Sequence, residues 1–119
     1  MQGLFDLLAP DVQFYSPAVF KPYQGREAVT FLLAHVIEVF GDLAYTHHYH
    51  NDQGGVVMQF QTSVEAADGS GRRLTLEGVD IFQLNERGQV QEMRVLIRPL
   101  FGLQALAAAM QSRVVGVVG

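Results

Sequence analysis

The stretch Leu43–Arg98, LAYTHHYHNDQGGVVMQFQTSVEAADGSGRRLTLEGVDIFQLNERGQVQEMRVLIR, decides the fold. Runs of β-branched, aromatic and aliphatic residues break at NDQGG, DGSG and NERG, where Asn, Asp and Gly supply the backbone conformations of tight turns. These breaks are too short for helical crossovers, so the spacing predicts four long strands in antiparallel meander order between Asp42 and Arg98. Within LTLEGVDIFQL, period-two alternation puts Leu74, Leu76, Gly78, Asp80, Phe82 and Leu84 on one face. Thr75, Glu77, Val79, Ile81 and Gln83 take the other. Asp80 thus shares a face with Leu and Phe, where an ionised carboxylate loses on the order of several kcal/mol of hydration unless it is paired, hydrogen-bonded or protonated.

Upstream, GLFDLLAPD reads as the end of a short helix stopped at Pro10. VQFYSPAVFKPYQG holds β-formers interrupted by Pro17 and Pro22, which suits one or two short strands ending in a turn at Gly25. From Arg26 to Phe40, the spacing of Val29, Leu32, Leu33, Val36, Ile37 and Phe40 predicts an amphipathic helix closed by Gly41. After Pro99, LFGLQALAAAM predicts a helix with Leu103, Leu106 and Met110 on one face, although Gly102 weakens its first turn. RVVGVVG is expected to be a frayed tail or a strand-like contact, which divides the chain into one domain over residues 1–113 and a tail over 114–119. Helices around a run of antiparallel strands give an α+β domain. Its expected form is a curved, cone-shaped antiparallel sheet of four long strands plus short N-terminal ones, wrapped around helices and enclosing a cavity.

A chain of 119 residues with 49% hydrophobic content can bury one real core. A net charge of -4, with Lys21 and seven arginines as the cations, argues against nucleic acid or an anionic membrane as partner. Zero cysteines exclude disulfides and thiolate metal sites and agree with a reducing cytoplasm, the expected location. No run approaches the roughly 18 apolar residues of a membrane span, and the N-terminus carries no signal pattern. No cofactor is expected.

Asp80 is the principal candidate site residue. It reads either as an acid kept neutral by apolar surroundings and able to donate to a ligand oxygen, or as a structural carboxylate paired with an arginine or a tyrosine hydroxyl across the sheet. At Phe14, Tyr15 and Ser16 a strand is interrupted before Pro17, so polar tips can turn inward. Tyr15 and Tyr23 supply hydroxyls there or simply pack under the long helix. Ser16 has no adjacent base and is no nucleophile candidate. The expected ligand-binding walls are Phe14, Tyr15, Ser16, Met58, Phe60, Phe82, Met93 and Val95. THHYH invites a metal reading, but on a strand His48 and His50 share a face that His47 does not, so no metal is expected. His35 either reaches the pocket or flanks the core. On the last strand Met93, Val95 and Ile97 face one way. Val90, Glu92, Arg94, Leu96 and Arg98 face the other, with the arginines set to pair with Glu77 or Glu92. That outer face, with Gln59, Gln61, Glu65, Glu77, Val79, Ile81 and Arg94, has the mixed composition of a protein interface.

The segments LLAPDV, GREA and DIFQLNERGQVQEMR, in this order and spacing, resemble the SnoaL-like branch of the nuclear-transport-factor-2-like superfamily, which includes ketosteroid isomerase, limonene epoxide hydrolase and polyketide cyclases. The resemblance covers nearly the whole chain. It implies a cone-shaped α+β fold with an internal cavity and a homodimer formed through the sheet. It also implies that Asp80 stands where an acid helps form the isomerase's oxyanion hole. The isomerase's base position falls near Ser16, and its oxyanion tyrosine belongs to a first helix that this sequence largely lacks. The second Asp of the epoxide hydrolases is not found on the pocket face. The expected function is therefore small-molecule binding, with a hydrophobic or partly polar partner held beside Asp80. The alternatives are an isomerase, polyketide-cyclase-like or hydratase enzyme using Asp80 as general acid or base, and a non-enzymatic dimeric assembly module.

Overall fold

All three breaks between the long strands are hairpin turns, closed by backbone hydrogen bonds from Asn51 N–H to the Gly55 carbonyl, from Ala66 to Arg72 and from Asn85 to Gln89, at 3.1, 2.7 and 2.8 Å. The computed structural model describes residues 2–118, with side chains for 3–113. The elements run α1 (Gln2–Leu7), β1 (Leu8–Tyr15), β2 (Tyr23–Gln24), α2 (Arg26–Val39), β3 (Gly41–His50), β4 (Gly55–Glu65), β5 (Arg73–Leu84), β6 (Val90–Arg98) and α3 (Leu100–Val118). This is an α+β chain with a sheet of six strands in the order β2-β1-β6-β5-β4-β3.

The meander β3 to β6 is antiparallel throughout, and β4 pairs with β5 without a slip from Gly55 opposite Gln83 to Glu65 opposite Arg73. One pairing departs from the expected all-antiparallel sheet. Strand β1 lies parallel to β6, so the sheet is mixed. The two strands are separated in sequence by α2 and the rest of the meander, and no local turn signal announces such a partner. Pro10 sits inside β1 where the ladder shifts register between Leu8 and Gln13, a place where its missing N–H breaks no regular pairing.

Helix α2 begins after Gly25, whose φ of 92° is one that glycine adopts without strain, and buries Val29 and Leu33. Helix α3 buries Ala105 and Leu106. These four side chains join Leu8, Val12 and Phe14 of β1 and Phe60, Leu76, Met93 and Val95 of the meander in one core, so both helices cover the same sheet face. Phe60, 1% exposed, is the largest fully buried side chain among the described residues, and its burial contributes roughly 2–3 kcal/mol. It lies over Gly78, its opposite number on β5, where a Cβ would sit 2.8 Å from Phe60 Cζ and would also collide with the Leu96 carbonyl. Gly102 has a similar reason to lack a side chain: a Cβ there would lie 3.2 Å from Leu76 Cβ, so the glycine lets the first turn of α3 rest on β5. Helical backbone continues to Val118, into the segment expected as a tail, while Gly119 lies outside the described residues. Among the described residues no helix is long and apolar enough to cross a membrane.

Candidate functional site

Between the helices and the covered sheet face lies a pocket of about 430 Å³. Alternation on β5 aims Asp80, Phe82 and Leu84 into it, and β6 contributes Met93, Val95 and Ile97 from the face on which the sequence places them. Val90 also lines it, against its expected outward direction. The β5–β6 register shifts between Gln83 and Leu84, pairing Leu84 with Val90 and Gln83 with Glu92, and this irregularity turns Val90 inward. Leu33, Val36 and Ile37 of α2, Phe40 beside it, and Leu106 of α3 form the opposite wall.

Only two of the described lining residues carry polar side-chain groups, Asp80 and Tyr45, and they bond to each other. The Tyr45 hydroxyl reaches over β4 from β3 and donates to Asp80 Oδ2 at 3.2 Å. Asp80 is 6% exposed. Burial pushes its carboxyl up from 3.8 to about 6, and the Tyr45 hydrogen bond offsets part of that rise. Burial, followed by the Asp80 charge and the shared hydrogen bond, pushes the Tyr45 phenol up to about 12, so it stays a proton donor at neutral pH. The tyrosine ring stands edge-on to Phe60 at 6.3 Å between centroids, and Phe60 in turn meets Phe40 at 6.0 Å. The acid therefore sits beside a hydroxyl and a cluster of aromatic rings.

Of the expected pocket walls, Phe14, Phe60, Phe82, Met93 and Val95 line the pocket with Asp80; Tyr15, Ser16 and Met58 do not. Tyr15 ends β1 with its hydroxyl donating to Gln13 Oε1 at 3.0 Å and its ring under the Arg94 guanidinium at 3.9 Å, which ties it to the outer side of β6. Ser16 turns its hydroxyl to the Val19 N–H at 3.1 Å and so shapes a bend. Met58 pairs opposite Asp80 and shares its face without lining the pocket. Tyr23 stacks on Phe14 at 6.3 Å and packs against the core. His35 lies against Phe31, with its buried Nδ1 lacking a hydrogen-bond partner, and does not line the pocket. The outer arginines pair as their strand positions suggest, Arg98 with Glu77 at 2.7 Å and Arg94 with Glu92 at 3.5 Å. Among the described residues no cluster of three His, Asp or Glu side chains could hold a metal ion.

Tyr45 is the site residue that alternation misses. A strict period of two groups it with His47 and Tyr49, yet Tyr45 pairs with Phe60 while His47 pairs with Gln59. The extra residue, Thr46, forms a bulge that puts Tyr45 on the pocket face and His47 and Tyr49 on the other. A short polar residue within the YTHH run is the only signal, and it is a weak one.

A model of the SnoaL-like domain family matches residues 1–93. The chain is similar to a solved steroid delta-isomerase from Pseudomonas aeruginosa, with 36% identity over 96% of this chain and 79% of that one and a TM-score of 0.86. It is similar also to an uncharacterised cystatin-like-fold protein from Silicibacter pomeroyi, with 34% identity over 96% and 75% of the two chains and a TM-score of 0.85. A putative SnoaL-like polyketide cyclase from a Jannaschia species shares the fold, at 22% identity over 90% and 78% of the chains and a TM-score of 0.71. Among curated proteins none matches the chain.

Proposed function

The chain belongs to the SnoaL-like domain family, and on that premise we propose that it is a small-molecule-binding domain whose pocket takes an apolar ligand anchored by Asp80. The observation that carries this reading is the composition of the pocket wall: about 430 Å³ of space, apolar on nearly every side, with its polar groups gathered at one point. Such a site gives affinity through its walls and orientation through its few polar groups. Phe14, Phe60, Phe82, Met93 and Val95 are the wall residues of this reading, and Asp80 with Tyr45 is its anchor.

A second reading, an isomerase, cyclase or hydratase with Asp80 as general acid or base, draws support from the 36% identity to a steroid delta-isomerase and from a carboxyl pushed up to about 6, near the pH at which acid and base forms are both available. The outer sheet face, where Val79 pairs with an exposed Leu96 inside a rim of Gln59, Glu77 and Arg98, suits a homodimer. A chain without cysteine suits a reducing compartment such as the cytoplasm.

Native mass spectrometry of the protein purified from its source tests the binding reading. A co-purifying small molecule is expected, and it should be lost in Asp80→Asn while the oligomer mass is unchanged. Protein that carries nothing and binds no apolar probe would overturn the reading. Turnover that disappears in Asp80→Asn while binding persists would move the assignment to the enzyme.

A further inference from the structure

We infer that the ligand is an apolar molecule bearing a positively charged amino group, with its ammonium against Asp80 and beside the aromatic rings that flank it. This rests on the binding reading above and names the chemical class it takes.

Three features of the pocket converge on that class. First, Asp80 is the only charged residue among the described lining residues, and none of the described ion pairs involves it. The cations near the sheet are engaged elsewhere, Arg94 and Arg98 on the outer face and Arg73 at the Ser63 hydroxyl and carbonyl. A buried carboxylate without a counter-charge is costly, and a cation arriving with the ligand would relieve it.

Second, the hydrogen-bonding capacity left for a ligand accepts rather than donates. Tyr45 has a single hydroxyl proton, and it is directed to Asp80 Oδ2. What remains is the second oxygen of Asp80 and the lone pairs of the tyrosine oxygen. A ligand ketone finds no donor at this point when Asp80 is ionised, whereas an ammonium finds acceptors. With the carboxyl at about 6, the ionised form dominates at neutral pH, and a bound cation favours it further.

Third, aromatic rings stand around the acid. Tyr45 and Phe60 are in edge contact, Phe40 lies behind Phe60, and Phe82 is two residues from Asp80 on the same sheet face. An ammonium seated at the carboxylate in a pocket lined by aromatic rings can exchange part of its hydration for contact with those rings, whose faces attract cations.

The groups able to modulate this charge are few. Among the described residues of α1, α2, α3 and strands β1, β4 and β6 the pocket lining holds no titratable side chain; β3 offers Tyr45. His48 lies in the same row across the sheet, beyond Met58.

The test uses three probes of one size: naphthylmethylamine, naphthylmethanol and methyl naphthyl ketone. Isothermal titration calorimetry reads the binding of all three. At about pH 8 the amine should bind on the order of tenfold more tightly than the ketone, the difference expected between a charge-assisted hydrogen bond and none. That preference should collapse in Asp80→Asn and fade in the unmodified protein as pH drops through about 6. The pH series decides the matter even if Asp80→Asn fails to fold. Equal binding of the three probes, or tightest binding of the ketone at about pH 8, overturns the ammonium assignment and leaves the binding reading standing. Failure of all three to bind overturns both.

Discussion

Replacing Asp80 by asparagine should stabilise the protein at neutral pH, and the size of the gain follows from the acid's surroundings. Its carboxyl is raised from 3.8 to about 6, chiefly by burial. Each tenfold gain in proton affinity corresponds to about 1.4 kcal/mol, so keeping the ionised form in the folded state costs about 3 kcal/mol. The sign is set by which state holds the proton more tightly. Between about 4 and 6 the folded protein binds a proton that the unfolded chain has already released, so stability falls as pH rises through this window and the full penalty applies above it. Asparagine cannot ionise, and its amide oxygen can still accept the Tyr45 hydrogen bond. Urea unfolding of both proteins across the pH range isolates the effect, because the two differ at this one side chain. Asp80→Asn should be the more stable by roughly 2–3 kcal/mol at about pH 8, narrowing to about 1 kcal/mol or less near pH 4.5. A variant less stable than the parent at about pH 8, or a difference flat with pH, would refute the account of Asp80 as a desolvated acid and mark it as a carboxylate whose charge holds the sheet together.

Other perturbations probe the neighbours of that acid. Tyr45→Phe removes the hydrogen bond that lowers the Asp80 carboxyl, so the carboxyl's midpoint, followed by carbon-detected NMR, should move further up; movement downward would contradict the hydrogen-bond assignment. Gly78→Ala places a methyl group against Phe60 and the Leu96 carbonyl, and urea melts should show a loss of about 1–3 kcal/mol. Phe60→Ala empties the centre of the core and should cost about 3–5 kcal/mol, read in the same melts. If the outer sheet face joins two copies, Leu96→Glu should shift sedimentation from dimer to monomer without altering the circular dichroism spectrum, since the side chain is 57% exposed.

Much of this fold is legible in the sequence because its strands are local. Turn chemistry at Asn51–Gly55, Ala66–Arg72 and Asn85–Gln89 sets each hairpin, and alternation within β5 and β6 puts Leu76 in the core and Asp80, Phe82, Met93 and Val95 on the same covered face. Long helix α2 announces itself through the spacing of Val29 and Leu33. What stays illegible is non-local. The parallel β1–β6 pairing depends on strands distant in sequence, and the inward turn of Val90 depends on a register shift that no single strand encodes.

The site was harder to read than the fold because it is assembled at a break in the pattern used to read it. Asp80 is found by obeying period two, but its hydrogen-bond partner is found only by knowing where period two fails, at the Thr46 bulge. Without that extra residue Tyr45 would follow His47 and Tyr49 to the outer face, and Asp80 would be left with apolar neighbours and no hydroxyl. Gly78 completes the arrangement from the other side: by giving up its own side chain it lets Phe60 lie across β5, and the Tyr45 ring rests edge-on against Phe60. A bulge and a glycine, each a local cost to a strand, together fix the position of one hydroxyl. Through that placement the Tyr45 hydroxyl is donated across the sheet to Asp80 Oδ2, and the pair stands in the wall of the pocket.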